Sequence, residues 1–286
     1  MGVRAMRLAI IIIGAICGML LAIPATAAQD ERLSWEQLRT DFFGTRPIED
    51  GAGIVALDVP IRPQDAGLVP LAITVLDPRP ERRPVTLTLI VDRNPIPLAG
   101  VFRLAPEAGI SRIETRIRID QYSDVRVIAE TADGRLAMAS RFVKATGGCS
   151  APAVAGTGSG TRLGEIRLRQ YVLTPDAANP ARMPTSRALI VQVRHPNHSG
   201  FQRDPLAGHF IPAHYVSTIV VRQGATPLIS AEGAISFSEN PSIRFDYVPK
   251  SDAAIAVEAE DTEGSKFTKS WESKEILPEG AGSPNN

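Results

Sequence analysis

The stretch IETRIRIDQYSDVRVIAETADGRLAM, residues 113–138, decides the fold class of this chain. Ile113, Thr115, Ile117 and Ile119 alternate with charged residues, and Val125, Val127 and Ala129 resume the alternation after a polar break. A period of two sends successive side chains to opposite faces, so both runs predict half-buried β-strands. Asp133-Gly134 supplies a hairpin turn, and Leu136, Met138 and Phe142 belong to the returning strand.

The same pattern extends in both directions. Upstream, Val85, Leu87, Leu89 and Val91 alternate in VTLTLIVD, residues 85–92. Downstream, RALIVQVRH (187–195), HYVSTIVVRQG (214–224) turning into TPLIS (226–230), IRFDYV (243–248) and AIAVEAEDTEGSKFTKSW (254–271) repeat the scheme. The octets VIAETADG (127–134) and VEAEDTEG (257–264) share Val, Ala, Glu and Gly at matching places, each closing a hairpin. One helix is expected: Ser34-Trp35-Glu36-Gln37 has the capping-box form, and a short helix follows to about Phe43. With 23 prolines and 23 glycines and few helical patterns, the class is all-β, as two sandwiches of similar design.

Between the halves runs SAPAVAGTGSGT, residues 150–161, small, uncharged and rich in glycine. Such a segment buries too little surface to order itself and is expected to act as a flexible tether spanning about 20 Å. The predicted divisions are 1–27 as a leader, 28–149 and 162–276 as domains with 150–161 between them, and 277–286 as a disordered tail.

The leader reads as an export signal. Arg4 and Arg7 precede an apolar run from Leu8 to Ile23, and Ala25 and Ala27 frame a cleavage site, so the mature protein is expected to begin near Ala28 without a stable membrane anchor. Lys plus Arg number 31 and Asp plus Glu number 31, with no long charged block, which makes nucleic acid a poor partner. Cys17 leaves with the leader, so the exported chain keeps Cys149 alone and forms no internal disulfide.

Cys149 lies in KATGGCSAP, residues 144–152. Gly147 and Gly148 lack Cβ, which permits positive φ, and the run from Lys144 to Cys149 can extend to about 20 Å. That geometry predicts an accessible carrier arm, whereas a resident nucleophile needs a rigid seat beside a base. Lys144 is the nearby cation in the sequence. An incidental cysteine and an intermolecular disulfide are the alternatives on composition alone.

All four histidines, His195, His198, His209 and His214, fall within residues 194–215. Clustering invites a metal reading, but Pro196 and Pro212 break any helix that would align them, and Asp204 is the only carboxylate nearby in sequence. The other reading is a long loop in which Arg203 and Asp204 pair. No metal or other cofactor is assigned.

The quoted strand pair, together with VDRNPIPLAGVFRLAP (91–106), HPNHSGFQRD (195–204), HFIPAHYV (209–216), SFSENPSIRF (236–245) and EDTEGSKF (260–267), resembles the SoxY and SoxZ halves of the periplasmic SoxYZ sulfur carrier, joined in one polypeptide. The resemblance implies immunoglobulin-like sandwiches, a periplasmic location and no catalytic role. It also implies a cysteine that holds sulfur intermediates covalently for partner oxidation enzymes: c-type cytochromes, a sulfur-compound hydrolase or dehydrogenase. Gly147, Gly148 and Cys149 match the first half of the family's Gly-Gly-Cys-Gly-Gly arm, while Ser150, Ala151 and Pro152 replace its trailing glycines. His195 and His214 match histidines of the SoxZ pattern that look structural. The fused form resembles carriers associated with quinoprotein dehydrogenases. The alternative expectation for this chain is a docking or chaperone-like module for an exported quinoprotein dehydrogenase, with the cysteine dispensable.

Overall fold

The computed structural model describes residues 33–77, 79–152, 162–272 and 276–277. The expected leader (1–27), most of the inter-half segment (153–161) and residues 278–286 lie outside the described residues. Among the described residues no helix is long and apolar enough to cross a membrane.

Among the described residues the one α-helix, α1 (Trp35–Phe43), begins as the sequence predicts. Gln37 N–H donates to Ser34 Oγ at 3.3 Å and Ser34 N–H donates to Gln37 Oε1 at 2.8 Å, so two orphan amides of the first turn are satisfied reciprocally. Its buried Leu38 packs on Ile90, Ile128 and Leu136, and Trp35 lies under the Arg126 guanidinium at 4.4 Å.

The first half continues as β1 (Ile48–Asp50), β2 (Val55–Asp58), β3 (Val69–Val75), β4 (Pro84–Val91), β5 (Leu98–Leu104), β6 (Arg112–Ile117), β7 (Ser123–Thr131) and β8 (Leu136–Val143). The second half supplies β9 (Ile166–Val172), β10 (Arg187–Val193), β11 (Val216–Gln223), β12 (Thr226–Gly233), β13 (Ser242–Tyr247), β14 (Ile255–Asp261), β15 (Lys266–Trp271) and β16 (Ile276–Leu277). Inward-facing residues recur at period two where expected, at Ile113, Thr115 and Ile117 of β6 and Val125, Val127 and Ala129 of β7; Ile128, on the other face of β7, is buried as well, against Leu38.

The halves are sandwiches, yet they are not separate bodies on a tether. One sheet runs β1-β8-β7-β4-β5-β12-β11-β14-β15, and the other runs β16-β9-β10-β13-β6-β3-β2. Both cross from one half to the other, through antiparallel pairs β5/β12 and β6/β13. Apart from the short end strands β1 and β16, the order is palindromic. Each strand from β2 to β8 has its counterpart seven places on, which matches the repeated hairpin octet.

The merger has a physical cause. An isolated half would present the edges of β5 and β6, with unpaired amides and carbonyls, and pairing them with β12 and β13 removes both edges. Gly100 lies opposite Gly233 in that seam, and Phe237 fills the space their missing side chains leave. A Cβ on Gly100 would come within 2.9 Å of the Phe237 ring, which stacks on Phe102 with centroids 6.1 Å apart. A single apolar core, including Leu87 and Phe102 from the first half and Leu189 and Phe245 from the second, fills the space between the sheets.

Candidate functional site

The glycine pair and the lone cysteine form a closed turn against the body of the protein. Ser150 N–H donates to the carbonyl of Gly147 at 3.2 Å, and Gly147 takes φ of +78°, where a side chain would be strained. Gly147 N–H donates to Asp120 O at 2.8 Å and Gly148 N–H to Ile119 O at 3.0 Å, just beyond the end of β6. Gly148 serves close approach: a Cβ there would lie 2.1 Å from Ala66 O and 2.6 Å from Ile119 O. With Gly148 wedged this way, the turn exposes Gly147 and Ser150 and points Cys149 inward, with 0% of its surface accessible.

This corrects the expectation of an accessible arm. The two glycines supply fit as well as freedom, and the beginning of the inter-half segment, Ser150 and Ala151, is part of the docked turn. Lys144 is exposed, so it is not the cation at the thiol.

The second half closes over the turn. Ser199 donates its hydroxyl to the carbonyl of Cys149, and Gln202 Nε2 donates to Ala151 O at 2.8 Å. From the first half, Arg118 Nη1 reaches Gly148 O at 3.2 Å and Ala151 O at 3.4 Å, while Nη2 reaches Asn197 O at 3.3 Å. Arg118 is 2% exposed, and burial pushes its pKa down. The charges of Cys149, Glu239 and Asp65 act in the opposite direction, that of Cys149 most strongly.

Asn197 connects this seat to the histidines. Its backbone sits at φ of +47°, its side-chain carbonyl accepts from Val216 N–H at 3.1 Å, and its own N–H donates to His195 Nδ1 at 3.0 Å. His195 Nε2 lies 3.3 Å from His214 Nε2, which in turn lies 2.9 Å from Asp261 Oδ2. Burial, and then the charge of His214, hold His195 down at about 4, so it is neutral at pH 7. Burial raises Asp261, but hydrogen bonds from His214, Ser265 and Glu263 outweigh it and bring the carboxyl to about 2.

Two histidines and a carboxylate this close resemble a metal-ligand set. Their proton inventory does not fit one. A backbone amide can only donate, so Nδ1 of neutral His195 is the acceptor and its proton resides on Nε2, the atom that would have to bind the ion. Metal-binding imidazoles donate from the other ring nitrogen, whereas here that nitrogen already accepts. The cluster is a hydrogen-bonded brace. Its carboxylate is Asp261, not Asp204, which instead accepts Leu206 and Ala207 N–H at 2.8 Å each. Arg203 stacks over Phe210 at 4.5 Å.

Sequence reasoning placed Cys149, Gly147 and Gly148 in one element but missed Arg118, Asn197, Ser199, Gln202 and Asp261. One signal was available for Asp261: it stands where the first hairpin octet has Thr131. Arg118 gave none, because strand alternation assigns it to an outward face that the Cys149 turn and the second half then cover.

The comparisons with known proteins agree with this division. Residues 39–149 match the family of sulfur oxidation protein SoxY, ending on Cys149, and residues 180–272 match that of sulphur oxidation protein SoxZ. No curated protein matches the chain. Two immunoglobulin-like halves matching SoxY and SoxZ in order within one polypeptide place the chain in the SoxYZ sulfur-carrier family, as a fused SoxY–SoxZ form.

Proposed function

We propose that this protein is an exported, periplasmic carrier that holds a sulfur-containing intermediate on Cys149 and performs no chemistry on it. The supporting observation is positional: the SoxY match ends on a cysteine whose turn is clasped by residues of both halves. Loading joins Cys149 Sγ to a thiol-type sulfur of the cargo. One S–S bond forms, one S–H bond is lost on each side, and the two protons go to water. The two electrons go to an electron-accepting partner such as a c-type cytochrome. A hydrolase or dehydrogenase, including a quinoprotein dehydrogenase, then acts on the cargo.

Because Cys149 is buried when docked, loading requires the turn to leave its seat. The clasp consists of a few hydrogen bonds from neutral groups and one guanidinium, each worth about 0.5–1.5 kcal/mol net, or more for the charged donor. A partner that binds the exposed turn therefore has a modest cost to offset.

The buried thiol also supports a second reading, a docking module for an exported dehydrogenase in which Cys149 is a packed core residue. Intact mass spectrometry of protein from its native host, before and after reduction, separates the two. Reducible sulfur mass on Cys149, absent from Cys149→Ser, supports carriage. A plain thiol together with full pathway activity of Cys149→Ser supports the docking module.

A further inference from the structure

Arg118 has only neutral acceptors among its hydrogen-bond partners. Its guanidinium meets the carbonyls of Gly148, Ala151 and Asn197 at 3.2–3.4 Å, and its Nε is buried with no hydrogen-bond partner. Arginine does not shed its proton in a protein, so a full positive charge is enclosed beneath the turn that carries the thiol. Glu239 and Asp65 oppose that charge less strongly than Cys149 does, and an enclosed cation so weakly compensated is unfavourable. Cys149 is enclosed with it, at the centre of the turn whose two flanking carbonyls Arg118 holds.

We propose that Arg118 is the counter-ion that keeps Cys149 ionised while its turn is docked. The inference deepens the carrier reading and rests on it for its significance, since the atom concerned is the one that would hold cargo. Ionisation breaks the Sγ–H bond and passes one proton to water, and no electrons move. Two opposing effects act on the thiol. Enclosure away from water favours the neutral form, and the cation that holds both flanking carbonyls favours the thiolate. The second prevails because Cys149 is the strongest of the negative charges that oppose the buried guanidinium, and Glu239 and Asp65 act on it less. Other ionisable groups around the seat are Asp65 and Glu239, whose charges also act on Arg118, and Asp120, whose backbone carbonyl accepts from Gly147 N–H. Beyond them lie His198, behind Gln202, and the His195–His214–Asp261 brace behind Asn197.

Docking and ionisation are therefore linked: the seat binds the thiolate form of the turn more tightly than the thiol form. Arg118 is a positioning residue, acting through its hold on the turn and its charge.

The test is a pH titration of thiolate ultraviolet absorbance on the full chain, with Cys149→Ser as the blank. In the wild type, Cys149 should titrate below the ordinary thiol value of about 8.5. Arg118→Met should raise that midpoint by at least about one pH unit, a tenfold loss of thiolate at neutral pH, while Arg118→Lys, which keeps the charge, should recover most of it. Gly148→Ala, which cannot dock its turn, should titrate as an ordinary thiol although Arg118 is intact. A wild-type midpoint at or above the ordinary value overturns the proposal, as does an identical midpoint in folded Arg118→Met. Should Arg118→Met fail to fold, the wild type against Gly148→Ala decides alone. Failure here leaves the mass-spectrometric test of carriage untouched, and failure of carriage leaves this titration readable.

Discussion

Ser199 donates its hydroxyl to the backbone carbonyl of Cys149, so a residue of the SoxZ half holds the thiol-bearing turn of the SoxY half. Gln202 repeats the arrangement two residues further along, at Ala151. The seat for the cysteine is thus shared between the halves.

Gly148→Ala should eject the turn. Its new Cβ would sit 2.1 Å from Ala66 O, a backbone atom that cannot yield. Cys149 should then react with a small disulfide reagent at least about tenfold faster than in the wild type, the equivalent of about 1.4 kcal/mol of lost docking. An unchanged rate under native conditions would show that the seat does not shield the thiol.

Ser199→Ala and Gln202→Ala should each loosen the clasp without emptying the core. Loss of one neutral hydrogen bond is worth about 1 kcal/mol, so the open fraction of the turn should rise about fivefold for each variant. Hydrogen exchange of the Gly147 and Gly148 amides, which donate to Asp120 and Ile119, reads this directly. Protection equal to that of the wild type would remove the second half from the clasp.

Calorimetry should show one unfolding transition, with calorimetric and van't Hoff enthalpies equal. Tethered sandwiches would melt separately, but two continuous sheets and one core couple the halves. Gly100→Val, which forces a side chain into the Phe237 ring, should lower that single transition by about 1–3 kcal/mol of stability without splitting it. Two resolved transitions in the wild type would contradict the shared sheets.

Asp77 should make the protein acid-sensitive in a narrow window. Its carboxylate accepts from Arg79 Nη2 at 2.6 Å and lies 3.4 Å from Arg82 Nε, and the Arg79 hydrogen bond brings its pKa to about 2 from an ordinary 3.8. The folded value is the lower one, so this stabilisation is complete above the ordinary value and is lost as pH falls towards 2. Melting temperatures between those limits should fall less steeply in Asp77→Asn than in the wild type, and equal slopes would rule the residue out.

Strand identity was legible because alternation is local: residues 113–119 and 125–129 announce β6 and β7, and Ser34 with Gln37 announces the start of α1. The DG and EG turns are legible for the same reason, since Gly134 and Gly264 both adopt φ of +82°. The seam was not. No local pattern states that β5 will pair with β12, because an edge strand has the same composition whether its neighbour is water or another half.

The site failed to be legible for a related reason. Gly147-Gly148 reads as freedom when only neighbours in sequence are considered, and Gly148 becomes a close-contact residue only once Ala66 and Ile119 are brought beside it. Likewise, Asp261 joins His195 and His214 from 66 and 47 residues away.

Strand pairing across the seam has a further result when both partners share one polypeptide. Two separate subunits joined along β5/β12 and β6/β13 would part on dilution, to a degree set by their concentrations. Covalent continuity makes the encounter intramolecular, with effective concentrations on the order of millimolar for short connections. A carrier built this way presents a complete two-sided cysteine seat however scarce it is, because no molecule has to find its other half.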